Sequence, residues 1–136
     1  MAIQNGTVLS GATLAATGGT VKTLTLTAQK VNNGINVKDM SIADARYRPS
    51  WSFSSTPSVY DSKTGLWSKS NKTASLSIPY SVTTPSGQVV QFPVIRVELR
   101  DFPDMPAAQI TELLNLMSQC LFDIDFTQFW VNGAIS

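Results

Sequence analysis

The chain has 136 residues, of which 43% are hydrophobic and 14% charged, and its formal net charge is +1. That is the length of one domain with enough apolar content for a core, and it excludes a charge-rich disordered chain. Histidine is absent and Cys120 is the sole cysteine, which excludes Ser-His and Cys-His nucleophile pairs, an internal disulfide and a Cys-rich zinc site.

Residues Met1 to Gly6 contain neither a basic nor an apolar stretch, so no secretory leader is expected. No apolar run approaches the roughly 18 residues of a membrane span. A soluble protein of a reducing interior is therefore expected. Thr7–Leu14 and Thr20–Thr27 are rich in Thr, Val and Leu and flank Thr17-Gly18-Gly19, which predicts an N-terminal β-hairpin. Asn32-Asn33-Gly34 is a turn signal, followed by a short strand over Ile35–Met40.

Three later segments alternate with period two, as expected for strands with one buried and one wet face. In Arg46–Ser54, Tyr47, Trp51 and Phe53 share one face, and Arg46, Arg48, Ser50, Ser52 and Ser54 the other. In Lys72–Ile78, Ala74, Leu76 and Ile78 oppose Thr73, Ser75 and Ser77, with Lys72 at the margin of the polar set. In Val94–Arg100, Ile95, Val97 and Leu99 oppose Arg96, Glu98 and Arg100. Asp61-Ser62-Lys63-Thr64-Gly65, within a longer Ser-rich stretch, and Thr84-Pro85-Ser86-Gly87 supply the connections. Pro93, just before the third strand's best alternation, marks the strand start, an edge or a bulge, because proline donates nothing to a ladder.

From Pro106 the period changes. Ile110, Leu113, Leu114, Met117, Cys120 and Leu121 recur at steps of three and four, which predicts an amphipathic helix capped at Asp104 or Met105. Asp123 or Asp125 starts a second short helix carrying Ile124, Phe126, Phe129 and Trp130, and Asn132-Gly133 ends it. The expected fold is α+β: an N-terminal β-hairpin, an antiparallel sheet of about five strands, then two C-terminal helices. It forms one domain over 1–136, with residues 1–100 β-rich and 101–136 helical. Two helices are little cover for the apolar face of such a sheet. A second chain, or the N-terminal hairpin, would supply the rest.

Charge divides with the predicted elements. All ten Lys and Arg lie in residues 1–100 against four acids, a net of +6, whereas residues 101–136 hold five acids and no base. Arg46, Arg48, Ser50, Ser52, Ser54, Thr73, Ser75, Ser77, Arg96 and Arg100, with Lys72 at the margin, form a cationic, hydroxyl-rich surface. Guanidinium and ammonium groups supply charge to phosphate oxygens and hydroxyls supply hydrogen bonds, so the set as a whole reads as a ligand surface suited to phosphate, and flat sheets also receive extruded RNA bases. Singly, each Ser or Thr is an ordinary exposed strand residue. The pairs Asp101/Asp104 and Asp123/Asp125 read as helix capping rather than as catalytic or metal-binding carboxylates, and Cys120 reads as an inert thiol on the apolar stripe. No catalytic residue, metal or cofactor is expected, and the chain is not expected to be an enzyme.

Over nearly its whole length the chain resembles the coat proteins of single-stranded RNA bacteriophages, the leviviruses. The resemblance rests on the hairpin before Asn33-Gly34, the strand pair Trp51–Ser54 and Thr73–Pro79, and Arg96-Val97-Glu98-Leu99. It rests further on Glu112-Leu113-Leu114, Leu121-Phe122-Asp123-Ile124-Asp125 and the closing Asn132-Gly133-Ala134-Ile135. The chain departs from the family in a long 55–71 loop holding Trp67 and in a short connection around Pro85–Gln91.

The resemblance implies an intertwined homodimer in which two sheets join edge to edge and each chain's helices cross the partner's sheet. Ile110, Leu113, Leu114, Met117, Leu121, Phe129 and Trp130 would do that packing. It implies an icosahedral shell in the virion, assembled in the cytoplasm of a bacterial host. The loop carrying Thr84, Pro85, Ser86, Gly87 and Gln88 would make contacts between dimers. The polar sheet face would bind the packaged single-stranded genomic RNA, with Thr73, Ser75 and Arg96 at RNA-facing positions and Ser50, Ser52 and Ser54 on the neighbouring strand. A maturation protein would be a further virion partner, and no membrane is involved. Some members repress translation through an RNA hairpin on this face; their hairpin-stacking aromatic falls at Val94, a departure. The alternative is a small dimeric cytosolic RNA-binding module that forms no shell.

Overall fold

The computed structural model describes residues 6–13, 15–26 and 33–133. Leu14, Thr27 and Asn32 of the predicted hairpin and turn, and the Ala134-Ile135 tail, lie outside the described residues. The chain forms two compact units, Gly19–Pro103 and the combination of Met1–Gly18 with Asp104–Ser136.

The first unit is β. Its strands are β1 (Leu24–Leu26), β2 (Gly34–Asp39), β3 (Ser50–Thr56), β4 (Tyr60–Asp61), β5 (Leu66–Trp67), β6 (Ser70–Ser77), β7 (Tyr80–Thr84), β8 (Gly87–Gln91) and β9 (Val94–Asp101). Five of them make one sheet in the order β1-β2-β3-β6-β9, every neighbour antiparallel. The other four form two small hairpins set into the connections. The second unit holds the helices α1 (Ala107–Phe122) and α2 (Ile124–Asn132). A five-stranded antiparallel sheet followed by two helices is the architecture that the alternating and then helical periods predict.

Local chemistry explains the turns. Asn33 takes a left-handed φ of 58°, which asparagine tolerates better than most residues, and its carbonyl accepts from Ser55 N at 2.9 Å. In the β4–β5 hairpin the Asp61 side chain accepts from Lys63 N, and Gly65, at φ 71°, donates to Asp61 O. The Tyr60 and Trp67 rings pack across it with centroids 5.1 Å apart. Between β7 and β8, Pro85 forbids the positive φ that two-residue hairpin turns favour at that position. Gly87, at φ 125°, carries the unusual backbone instead, and Thr84 Oγ1 donates to its carbonyl at 2.7 Å.

Three expectations are corrected. The segment around Arg46 and Arg48 is not strand. Asp44 caps a short 3-10 turn over Ala45–Tyr47, accepting from Arg46 N and from its guanidinium, with Nη2 2.8 Å from Oδ2. Pro49, which has no N–H, follows, so β3 starts at Ser50. The connection from β6 to β9 is not a simple turn but the β7–β8 hairpin, whose strands span five residues each. The predicted N-terminal hairpin is not seen among the described residues: 7–13 contain no strand, and of the described part of the second limb Leu24–Leu26 joins the sheet.

The reason lies on α1. Glu112, Asn115 and Gln119, at helical spacings of three and four, form a polar stripe that grips the backbone of the N-terminal segment. Gln119 accepts from Leu9 N at 2.7 Å and donates to Leu9 O at 2.8 Å. Asn115 donates to Ala12 O at 2.7 Å, and Glu112 accepts from Ser10 Oγ at 2.6 Å and from Gly11 N at 3.2 Å. Asp125 of α2 accepts from Thr7 N at 2.9 Å. These side chains satisfy backbone groups that a hairpin partner would otherwise have met. Asn115 and Gln119 are buried as a result.

The helix ends follow the sequence signals with one change. Pro106, rather than Asp104 or Met105, sits at the N-cap of α1 and gives no side-chain cap. Asp123 caps α2 through Asp125 N, and Gly133 closes it at φ 72°. No described helix is long and apolar enough to cross a membrane.

Gln119→Leu removes both hydrogen bonds to Leu9 while keeping the side chain's size. Leaving those partly buried groups unpaired costs about 1–3 kcal/mol, so the Leu9 amide should exchange hydrogen roughly ten-fold faster or more. Unchanged exchange, read by NMR, would mean that the segment is held by something else.

Candidate nucleic-acid interface

Cross-strand register decides which side chains share a face. One row runs Asn36, Ser52, Ser75, Arg96 across β2, β3, β6 and β9. The next rows are Gly34, Ser54, Thr73, Glu98 on one side and Lys38, Ser50, Ser77, Val94 on the other. Thr56, Asn71 and Arg100 complete the set. Most of these side chains are hydroxyl, amide or cationic, and Glu98 is the one carboxylate. Lys38, Arg96 and Arg100 against Glu98 give this face +2 per chain.

The register thus brings together Ser50, Ser52, Ser54, Thr73, Ser75, Ser77, Arg96 and Arg100, eight of the eleven residues expected on this surface. Ser52, Ser54, Arg96 and Arg100 are exposed and the other four half-buried. Arg96 makes no ion pair among the described residues. Arg100 Nε donates to Glu98 Oε1 at 2.7 Å. That hydrogen bond, with the Coulombic pull of the same guanidinium, holds the Glu98 carboxyl below its ordinary range, and Asn71 and Arg96 add to the effect. The Asn71 Oδ1 and Ser77 Oγ atoms on this face have no hydrogen-bond partner among the described residues.

Three expected residues lie elsewhere. Lys72 stands opposite Ser55 and Leu99, on the side of Ala74, Leu76 and Ile95. Its Nζ is 2.9 Å from Asp101 Oδ2. Asp101 is buried and also takes the Ser70 hydroxyl; hydrogen bonds from Ser70 and then Lys72 lower its pKa. Arg46 is tied to Asp44, and Arg48 donates to the carbonyls of Ile42 at 2.7 Å and Ala43 at 3.1 Å. Both guanidiniums therefore brace the 41–48 turn.

The sequence reading missed Asn36, Lys38, Thr56 and Asn71, which the register adds to the face. The signal was available in β2, where Ile35 and Val37 alternate with Asn36 and Lys38.

The opposite side of the sheet is apolar and open. Val37 is the one buried hydrophobic residue among those described, while Ile35, Phe53 and Ile95 remain exposed and Trp51, Leu76, Val97 and Leu99 half-buried. On the helices, Leu113, Leu114, Met117, Phe129 and Trp130 are exposed, and Ile110 and Leu121 half-buried. Trp130 Nε1 donates to Cys120 O at 2.7 Å, and its ring meets Phe129 edge-on. At the tip of β7–β8, Pro85, Ser86, Gly87 and Gln88 are exposed and Thr84 is half-buried.

Among solved structures, the chain is similar to that in the virus-like particle of bacteriophage GQ-907. The two are 32% identical with a TM-score of 0.87, covering 99% of this chain and 100% of that one. The chains of the virus-like particles of Beihai levi-like virus 21 and of bacteriophage AVE019 share the fold. The first matches with a TM-score of 0.67 at 11% identity over 88% of this chain and 91% of that one. The second matches with 0.65 at 16% over 90% and 94%. No family model and no curated protein sequence matches the chain.

Because its pKa is lowered on folding, Glu98 favours the fold above its unfolded pKa, and that contribution fades as pH falls through the folded value. In an NMR titration its carboxyl should therefore ionise below 4.5, and Arg100→Ala should bring it back up. A midpoint indifferent to Arg100→Ala would break the assignment.

Proposed function

The chain belongs to the levivirus-like coat proteins of bacteriophages, and we propose that it closes its shell from dimers and holds genomic RNA on the wet sheet face. Its capsid role is structural, and its partners in assembly are further copies of itself. The observation that carries the RNA reading is the register of β2, β3, β6 and β9. It gathers cations, amides and the serine and threonine hydroxyls of two adjacent strands on one face, with a single carboxylate. Phosphate oxygens are well matched by such donors.

Dimerisation is supported by the apolar side. Exposed Ile35, Phe53 and Ile95 on the sheet, and Leu113, Leu114 and Met117 on α1, are what a partner's helices and sheet would cover. Each fully buried side chain of this kind contributes about 1.5–3 kcal/mol. The β7–β8 tip, exposed and stiffened by Pro85, is assigned to contacts between dimers. Val94, in the row of Ser50 and Ser77, offers no ring for a base to stack on. The face is therefore read as a sequence-tolerant phosphate surface rather than the receptor of one translational-repressor hairpin. Assembly in the host cytoplasm and a maturation protein in the virion belong to the same reading.

Negative-stain electron microscopy of the protein expressed alone, with the 260/280 nm absorbance ratio, tests both halves. Uniform spherical particles with a nucleic-acid spectrum are expected, and removing the Pro85–Gln88 tip should leave dimers without particles. A dimer that binds RNA and never forms a shell would point instead to a small RNA-binding module.

The RNA face is tested by salt. Lys38→Ala should lower the slope of log K for single-stranded RNA against log salt by about 0.7, the share of one neutralised phosphate. Lys72→Ala, on the other side of the sheet, should leave the slope unchanged. The reverse pattern would move RNA to the apolar side.

A further inference from the structure

The wet side does not end with the five-stranded sheet. The last pair of the β3–β6 ladder sets Thr56 opposite Asn71. Four residues further along each arm, Tyr60 stands opposite Trp67 in the β4–β5 hairpin. Across the gap Ser68 N donates to Val59 O at 2.9 Å, and Val59 N donates to Ser68 Oγ at 2.8 Å. No residue is added to either arm, so the hairpin prolongs the ladder in the same register. Side chains alternate along a strand, and only a slip would exchange the two sides. Tyr60 and Trp67 therefore keep the parity of Thr56 and Asn71 and fall on the wet side, with Lys69 between them and the sheet. Val59 and Leu66 take the parity of the apolar side.

We propose that Tyr60 and Trp67 form a platform on which an unpaired RNA base stacks, with Lys69 beside it for the adjoining phosphate. The proposal rests on the RNA reading of the wet face given above. It adds a second kind of contact, on a hairpin outside that sheet.

The surroundings of the rings select this occupant. Tyr60 is 51% exposed and Trp67 40%. Their planes meet at 51° with centroids 5.1 Å apart, so neither ring lies flat over the other. Lys69 is exposed and makes no ion pair among the described residues. An open aromatic ring beside a free cation suits single-stranded nucleic acid of any sequence, because every base has a π-face. The five-stranded sheet offers no such ring, since Trp51 and Phe53 of β3 both have the apolar parity. An apolar protein partner finds its match on the other side of the hairpin, where Val59 and Leu66 are exposed.

The test titrates the full-length protein, freed of nucleic acid, with a short oligoadenylate and with inorganic polyphosphate of matched charge. Trp67→Leu should weaken oligoadenylate binding roughly five- to 150-fold, the range for losing one stacked base. It should leave polyphosphate binding and the salt slope unchanged. Trp67→Phe, which keeps a ring, should recover most of the loss. Lys69→Ala should lower the salt slope for oligoadenylate by about 0.7.

Equal weakening towards polyphosphate, or a Phe variant as weak as the Leu variant, would overturn stacking. Unchanged oligoadenylate affinity in Trp67→Leu, beside a Lys38→Ala slope that falls as expected above, would overturn the platform and leave the RNA face standing. No response in either variant would overturn both. Particles lost while oligoadenylate affinity is kept would overturn the platform in favour of a contact between copies.

A second route leaves the hairpin intact. With Trp51→Phe and Trp130→Phe, Trp67 is the sole tryptophan, and its emission should be quenched by oligoadenylate and not by polyphosphate. Emission indifferent to bound oligoadenylate would overturn the proposal.

Discussion

The antiparallel ladder that sets Ser52 opposite Ser75, and Ser75 opposite Arg96, organises everything else in the β unit. Each strand alone offers only an alternation of polar and apolar side chains. The register adds those alternations in phase, so that hydroxyls, amides and cations accumulate on one side and Ile35, Val37, Trp51, Phe53, Leu76 and Val97 on the other. A slip of one residue in β6 would put Leu76 beside Arg96 and Thr73 among the apolar residues. Both the wet face and the apolar face exist only in this register.

That segregation leaves a chain whose fold is unfinished in energetic terms. Val37 is its one buried hydrophobic residue among those described, whereas a stable domain depends on many such side chains leaving water. A coat protein has a direct use for this arrangement, since the surface that cannot be satisfied alone is satisfied by assembly. The same side also carries two buried carboxylates. Asp101 is held by Ser70 and Lys72, and Asp39 by Ser41, with Lys22 at 4.0 Å. A buried charge needs such partners before apolar cover closes over it.

Much of this was legible in the sequence, because the signals were periodic. Alternation in β3, β6 and β9 and the three-and-four stepping of α1 require no knowledge of distant contacts, and the strand alternation alone put eight of the eleven expected residues on the wet face. The misses have local causes. Arg46 and Arg48 continue the alternation in the bare sequence, but Asp44 and Pro49 convert their segment into a turn. Lys72 has the parity of Ala74 and Leu76, which puts it with the apolar set however polar its head group. The N-terminal segment looked like a strand by composition, and its true partner was a stripe of Glu112, Asn115 and Gln119 about 100 residues further along the chain. No local pattern announces such a contact.

That stripe also bears on how the N-terminal segment can vary. Helix side chains hold it by its amides and carbonyls at Thr7, Leu9, Gly11 and Ala12, and among the described residues only Thr7 and Ser10 contribute side-chain hydroxyls. Recognition of main chain is indifferent to most side chains, so this tether constrains its own sequence weakly. Proline is the exception at Thr7, Leu9 and Gly11, where an N–H is required, and Gly11 adds a backbone constraint through its φ of 72°. The helix, by contrast, has little freedom at Asn115 and Gln119. Substitutions should therefore accumulate unevenly across this contact, freely in the strap and sparingly in the clasp.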